Sequence, residues 1–462
     1  MILQRVLHRF EDTVVKSDHS VMLTPIPVNA DKLTWFRFGK LGTKIVMTTD
    51  TGAWHTMEPD RFSTLLAGDI DEDGDDYAKL VRKGFIRNGF DAEVQANQIR
   101  RTRQLLDTGL NHHRIQLSND SGPLPMDQAK AIVDHIFTST PESFTITLVQ
   151  GPAEPDPSLV AFIHDFAEQK NQYEKRTIQY EFDSTLQGID EAMRQLLIDK
   201  SIQMRARFDG AAALHDTQDA PVDYASALTT IQAIHTAASA AGRTKRDYSV
   251  FAEVHVGRHA PDDVDAIVTG LVGAGISDFK ITPVLAGDHA IAPADYGRFV
   301  RALMTALDAV NREEVVLREV TVDAMLARLR TGDMADRIVM SSAPSTGFNA
   351  RTYGTDGHIF PSETALQLHE NGDPMFLLGN VATASSEDIS NHATIRSLMV
   401  ASMVDCMPGY QHLWSAPYIG IDPVAAYSLT GDIFTKMPTS LHHQATHAMV
   451  EAIFLHALET KE

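Results

Sequence analysis

The sequence predicts an α/β chain centred on a partial (β/α)6 TIM-like barrel. Three observations predict it. Strand-length and helix-length segments alternate from about residue 100 to residue 330. The strand-length segments are rich in Val, Ile, Leu and Phe, as strands of a parallel sheet covered by helices must be. Six such units follow one another, a number that suits a partial or closed barrel. Outside that span the rhythm weakens. The chain therefore divides into a small α+β module at 1–95, the barrel at 100–330 and an irregular domain at 331–462.

Taken in order, residues 1–30 are of mixed polarity and end in a loop, TPIPVNADK. The segment LTWFRFGKLGTKIVMTTDTGAWHTM holds two apolar runs with Gly39 and Gly42 between them, a hairpin signal, and a second turn at Asp50-Thr51-Gly52. Pro59-Asp60 opens a short helix. Asp69, Asp71, Asp73 and Gly74 imitate the front of a calcium loop. Its twelfth position is Leu80 and its eighth Asp76, so a solvated acidic turn is expected instead.

Barrel strands are expected at Arg114–Ser118, Phe144–Val149, Ile178–Phe182, Ile202–Phe208, Val250–Val256 and Phe279–Leu285. Helices are expected at Asp127–Phe137, Ser158–Lys170, Ile189–Asp199, Tyr224–Ala241 and Pro261–Ala274. A helix at Tyr296–Asn311 and a strand-like VVLREVTV follow. Farther on, Thr355-Asp356-Gly357 signals a hairpin, and helices are expected at Ser386–Cys406 and Ser440–Leu458.

Composition excludes several functions. At 462 residues, 43% hydrophobic and 22% charged, the chain is of ordinary globular make-up. A formal charge of −21 argues against general nucleic-acid binding and against adsorption to anionic lipid. No apolar run reaches the ~20 residues of a membrane span. The opening MILQRVLHRFEDTVVKSDHS lacks the apolar core of a secretory signal, so the expected location is cytoplasmic. The one cysteine, Cys406, cannot form an internal disulfide. Nor can it hold an iron–sulfur cluster, which takes roughly three or four thiolates.

Seven segments then fall in register. They are FRFGKLGTKIVMTTDTGAW from Phe36, the strand His112–Ser118, QGPAEP at Gln150–Pro155 and RARFDGAAALH at Arg205–His215. SAPSTGFNARTYGTDG at Ser342–Gly357, GDPMFLLGNV at Gly372–Val381 and PGYQHLWSAPYIGIDPV at Pro408–Val424 complete the set. In this order they resemble the radical SAM peptide maturases that carry a C-terminal auxiliary-cluster (SPASM) domain, in particular the branch serving His-Xaa-Ser peptide systems. QGPAEP is similar to that family's QGGEP, RARFDGAAALH to its TSLDGPxxxH, and the last segment to PGCxxCxxxPYCGxxPV. The resemblance implies a radical SAM-like barrel, a peptide-recognition module before it and a SPASM-like domain after it.

The departures from the family are as informative. Its loop after strand one carries CxxxCxxC for a four-iron cluster that binds and cleaves S-adenosylmethionine. Here Ser118-Asn119-Asp120-Ser121-Gly122-Pro123 passes straight to the helix. The family's cofactor pocket corresponds to Gln150, Gly151, Glu154, Arg205, Arg207 and Asp209, and is expected to be vestigial. Pro152 removes a backbone donor, and Arg205 and Arg207 share one strand face, where their bulk would intrude on a small molecule. The arginine expected on strand six corresponds to Thr282. The auxiliary-cluster cysteines correspond to Ser345, Ser362, Tyr410, Leu413 and Ile419. No catalytic residue, cofactor or metal is therefore expected.

Other constellations weigh less. His443 and His447 sit at i,i+4 on the last helix and are the candidate metal pair. They lack an HExxH glutamate and a third ligand, so a solvated helix face is expected. His112 and His113 open the first barrel strand, where a structural role is expected. Glu154, Asp183, Asp209 and Glu253 lie at or near the C-terminal ends of strands, where barrel enzymes place their chemistry. They are expected to pair with Arg205 and Arg207. No GxGxxG, P-loop, GxSxG or CxxC motif is present.

The expected function is a non-catalytic accessory subunit of a ribosomal-peptide modification system. Its expected partners are the precursor peptide, an active radical SAM maturase, or both, in a hetero- or homo-oligomer, with neither nucleic acid nor membrane involved. The opening module would bind peptide by strand addition. The alternatives are an enzyme of different chemistry using barrel-mouth carboxylates or histidines, and a stand-alone binding or regulatory protein.

Overall fold

The computed structural model describes residues 28–88, 91–94, 96–97, 110–139, 141–218, 220–244, 248–312, 316–331, 346–404, 407, 409–436 and 440–460. Expectations that fall on residues 1–27, 342–345 or Cys406 lie outside the described residues. The chain forms two compact units. One comprises Met1–Thr34 and Met57–Phe90, the other Trp35–Thr56 and Asp91–Glu462.

In the smaller unit, a helix at Pro59–Ala67 starts on a proline in its first turn and ends at Gly68, whose φ of 78° stops it. A second helix spans Asp75–Arg82. Phe62, Leu65, Leu66 and Leu80 are buried, and Leu33 bridges to Ile86. The acidic stretch is an exposed turn in which Asp71 accepts a hydrogen bond from the Asp73 amide at 3.1 Å.

A three-stranded sheet runs in the order β1 (Arg37–Leu41), β2 (Lys44–Thr48), β3 (Trp54–Met57); β1 and β2, in the larger unit, are antiparallel and turn at Gly42 with a φ of 60°. Trp54 packs edge-on against Phe454 of the last helix, Leu441–Glu459, at 5.2 Å between centroids. Trp414 and Tyr418 press on the same ring.

The main body is a ten-stranded sheet. Its parallel core is β4 (His112–Gln116), then, after the short β5 (Ser118–Asn119) and β6 (Gly122–Pro123), β7 (Ser143–Val149), β8 (Thr177–Ser184), β9 (Gln203–Arg207), β10 (Phe251–Val256) and β11 (Asp278–Pro283). β12 (Arg318–Glu319), β13 (Ala350–Tyr353), β14 (His358–Phe360) and β15 (Gly379–Asn380) complete it. The order is β12-β11-β10-β9-β8-β7-β4-β13-β14-β15, an open sheet rather than a closed barrel. All six expected barrel strands form and lie parallel in chain order. β13 was not foreseen as part of this sheet: it lies parallel to β4, with Thr352 opposite Arg114.

Two expectations fail for local reasons. VVLREVTV is only a two-residue strand followed by a helix, Val320–Thr331. The buried Glu319 carboxylate accepts from the Val322 amide at 2.5 Å and caps that helix, which overrides the β preference of its valines and threonine. Ser386–Cys406 is two helices, Ser386–Ser390 and Ala393–Ser402. Ser385 and Asp388 form a capping box on the first, and His392 caps the second by accepting from the Thr394 amide, so each has its own start signal.

Alternation within the strands sorts the side chains. Ile115, Ile146, Leu148, Phe182, Met204, Ala206, Val254 and Phe279 join the core shared with the helices. The opposite face carries Arg114, Thr147, Glu181, Asp183, Arg205, Arg207 and Glu253 (period two). A closed barrel would fill that face with apolar layers. Here it is charged.

Candidate functional site

The charges on that face are paired. Arg114 donates to Asp183 Oδ2 at 2.5 Å and to Glu363 Oε2 at 2.7 Å. Arg205 donates to Glu253 Oε1 at 3.0 Å, reaches Glu181 Oε2 at 3.4 Å, and stacks 4.5 Å from the Phe251 ring. Thr147 Oγ1 donates to Glu181 at 3.0 Å. Burial opposes the Arg114 charge, but Glu363 and Asp183 overcome it and hold its pKa above the usual value. Burial pushes the Asp183 carboxyl up, with Glu253 adding to it against Arg114. Burial works the same way on Glu253, where Arg205 prevails and the pKa falls below the ordinary range.

Deeper in the mouth, Arg207 donates to Asp209 Oδ2 at 3.0 Å and to the Gln218 carbonyl at 2.8 Å. Asp209 is fully buried. Its Oδ1 accepts from the His255 amide at 2.7 Å, and its Oδ2 lies 3.2 Å from His215 Nδ1. Burial opposes its charge, and His215 and Arg207 together hold its pKa below the usual carboxylate value. His215 is anchored at its other end by the Val222 carbonyl at 3.1 Å. The pair fixes the loop after β9 to β10 rather than presenting a free acid or base.

The first barrel strand leads into a tight connection. β5 and β6 form a small hairpin, Ser118 opposite Pro123, with Asn119 accepting from the Ser121 amide at 2.9 Å. This hairpin is packed down on the loop after β7. A Cβ at Gly151 would overlap the Ser118 carbonyl, and the Ala153 amide donates to Ser118 Oγ at 3.2 Å. Gln150 is buried. Its Nε2 donates to the Gln187 carbonyl at 2.9 Å and its Oε1 accepts from Ser184 Oγ at 2.8 Å, stapling this loop to the end of β8. Pro152 and Glu154 are exposed.

The sequence-derived residues thus fall into separate groups. Gln150 and Gly151 clamp loops, Arg205 and Arg207 sit in two ion-pair clusters, and Asp209 is a buried brace. Asp183 pairs with Arg114, which the sequence reading did not single out. Arg114, Glu181 and Glu363 were missed because their partners are far apart in sequence. The signal available was the i,i+2 alternation of Glu181 with Asp183 and of Arg205 with Arg207.

The histidines of the last helix do not form a solvated face. His443 is 6% exposed, its ring 4.4 Å from Tyr410 and stacked on His447 at 6.2 Å. His447 Nδ1 lies 2.7 Å from Ser415 Oγ. The helix is a central packing element, with Trp414 and Tyr410 against it, and burial pushes His443 down to about 4. Among the described residues, a different group offers three ligands: Asp356, His358 and His369.

No family model and no curated protein matches this chain. Among solved structures, native anSMEcpe with bound AdoMet is similar at a TM-score of 0.59, covering 76% of this chain and 98% of that one at 10% identity. The same protein with AdoMet and Cp18Cys peptide gives 0.58, covering 76% and 99% at 10% identity. SuiB of Streptococcus suis bound to S-adenosylmethionine gives 0.48, covering 87% and 96% at 10% identity. The fold is radical SAM-like. In the radical SAM-like frame β4 is strand one, and Ser118–Pro123 is the connection that follows it. Among the described residues, no helix is long and apolar enough to cross a membrane.

Proposed function

We propose that this radical SAM-like protein is a non-catalytic accessory subunit of a peptide-modification system. It binds a precursor peptide, an active radical SAM maturase, or both. The observation that carries this reading is the connection after β4. A radical SAM fold holds a four-iron cluster there through about three thiolates, and the cluster's open iron binds S-adenosylmethionine. Ser118–Pro123 offers hydroxyl, amide and carboxylate groups, and the single cysteine of the chain is Cys406. Neither the number nor the chemistry of these donors fits the cluster.

The neighbouring space supports the same reading. The Ser118 carbonyl lies against Gly151, and Arg114, Arg205 and Arg207 occupy the polar face with their carboxylates. A small molecule entering there would have to displace paired charges. An acid–base enzyme is disfavoured because Asp183, Glu253 and Asp209 are each spent on an arginine. Peptide binding is supported by the complex of anSMEcpe with the Cp18Cys peptide. In this chain it falls to the segments flanking the barrel, 1–95 and 331–462.

The test is a pull-down of the tagged full chain from its native host, read by mass spectrometry. A maturase with an intact CxxxCxxC loop, or a short precursor peptide, is the expected companion. Recovery of neither refutes the accessory role. In the same preparation, stoichiometric iron together with calorimetric binding of S-adenosylmethionine would overturn the non-catalytic part.

A further inference from the structure

We propose that Asp356, His358 and His369 bind one divalent transition-metal ion of the zinc type at the mouth end of the sheet. Each residue offers one ligand atom, and the three atoms lie within 4.8 Å of one another. The two imidazole rings are 5.6 Å apart between centroids and inclined at 70°, so both can turn a nitrogen toward one ion. Asp356 Oδ2 is 2.6 Å from His358 Nδ1. Zinc holds such ligands at about 2.0–2.2 Å. Two ligands at that distance stand at most about 4.4 Å apart, so the set closes by a few tenths of an ångström on binding.

The site is built before any ion arrives. Asp356 Oδ1 accepts from the His358 amide at 3.0 Å, which closes the turn at Gly357 and aims the carboxylate. Asn380 Nδ2 donates to the Asp356 carbonyl at 3.0 Å. His369 lies near the end of the helix Glu363–Glu370. That helix is tied to β4 by the bonds from Arg114 to Glu363 and from Gln116 to Glu370. The His369 ring rests 5.1 Å from Phe360, which is itself fully buried.

A second, independent observation is the state of His369. Its Nδ1 is buried and has no hydrogen-bond partner among the described residues. A buried ring nitrogen without a partner is unfavourable, and a cation at this position would satisfy it. The Asp356 side chain is 57% exposed and that of His358 33%, so an ion can enter from solvent. Two imidazoles and one carboxylate suit zinc, cobalt or iron in the divalent state and leave positions for water or a partner's group. On binding, His358 Nδ1 gives its lone pair to the metal, and the proton it shared with Asp356 moves to Nε2 or to solvent.

Placement adds to the interest of the site. Tyr353, just before the turn, pairs with Ile115 of β4, and Gly357 abuts Gln128 of the helix after the Ser118–Pro123 connection. The ligands therefore stand at the C-terminal end of the strands, where barrel folds carry their chemistry. The inference does not depend on the accessory role: a chain that captures no peptide and no maturase would still bind metal.

The experiment is a titration of the chelator-treated full chain with Co2+, read by visible ligand-field absorption, and with Zn2+, read by calorimetry. Saturation at one equivalent is expected. His358→Gln and His369→Gln should each weaken binding at least tenfold. Asp356→Asn, which keeps the turn's backbone bond, should weaken it while leaving the circular dichroism unchanged. A His443→Gln/His447→Gln double variant should bind as the parent does. Absence of saturable binding in the parent overturns the proposal, as does parent-like binding by both His358→Gln and His369→Gln. So does loss of binding confined to the His443/His447 variant.

Discussion

Glu319→Gln should trail the parent in stability at about pH 5 and lose that deficit by about pH 8. Glu319 is 1% exposed, and burial pushes its carboxyl up from 4.5 to about 7. Its two oxygens accept from the Ile281 amide at 3.0 Å and the Val322 amide at 2.5 Å, joining the edge of the parallel sheet to the helix Val320–Thr331. A carboxyl whose folded pKa is raised binds a proton that the unfolded chain has already released. Its contribution is full below about 4.5 and is lost as pH rises through about 7. The gap from 4.5 to about 7, at roughly 1.4 kcal/mol per pH unit, comes to about 3 kcal/mol, of which roughly 2.5 falls between pH 5 and pH 8. Glutamine carries no such titration, but its amide turns one NH2 toward a backbone donor, a cost of about 1–2 kcal/mol at any pH. The parent should therefore lead at pH 5 and draw level or fall behind at pH 8. Parallel urea melts of the two proteins at both pH values read the difference. His135 and His443, pushed down to about 4, act in the opposite direction in both proteins and cancel. An equal difference at the two pH values would refute the reasoning.

Three further outcomes follow from the packing. Gly151→Ala should lower the melting temperature and speed amide exchange in 117–124, because its methyl overlaps the Ser118 carbonyl, a backbone atom that cannot swing away. Unchanged exchange there would sink that account. Arg205→Met leaves Glu181 and Glu253 without their cation and should cost roughly 1–3 kcal/mol in a urea melt, discounted because a fifth of the arginine side chain meets solvent. Adding Glu253→Gln should recover part of the loss, and strict additivity of the two changes would contradict the pairing. His135→Leu should flatten the acid limb of stability. Burial and the nearby Arg351 push this histidine down to about 4, so its contribution is present above about 6.5 and lost as pH falls toward 4, and acid titration followed by circular dichroism measures it.

The parallel core was legible because each strand buries one face against helices, and runs such as ITLV and FAEVHV announce that burial directly. β13 was not legible. Its ARTY is four residues long and half polar, and it is a strand only because β4 offers a free edge beside it. The helix Val320–Thr331 was hidden for a related reason. VTV favours a strand locally, and the Glu319 cap that reverses the preference acts through its side chain rather than through propensity. At the site, the cationic partners Arg205 and Arg207 could be read from alternation. The pairing of Arg114 with Glu363 spans two regions of the chain that no local pattern connects. His369 was invisible as a ligand candidate because a helix brings it back to a turn formed well before it.

The charged face of the sheet is held in place by its own ion pairs. A charged sheet face is unstable when its charges lose their partners, since a buried ion without a counter-ion is strongly unfavourable. Here each arginine on the face has a carboxylate partner: Arg114 with Asp183 of β8 and Glu363 of the helix Glu363–Glu370, Arg205 with Glu181 of β8 and Glu253 of β10, and Arg207 with Asp209 in the loop that follows it. The pairs of Arg114 and Arg205 cross-link separate segments. Glu363 and, one helix length on, Glu370 tie the segment Glu363–Glu370 onto β4 through Arg114 and Gln116. The same tie holds His369 over Asp356 and His358. The charge pairing on this face therefore also assembles the three-ligand cluster beside it, and Arg114→Met should loosen both the sheet and the metal site, whereas Arg207→Met should loosen the sheet alone.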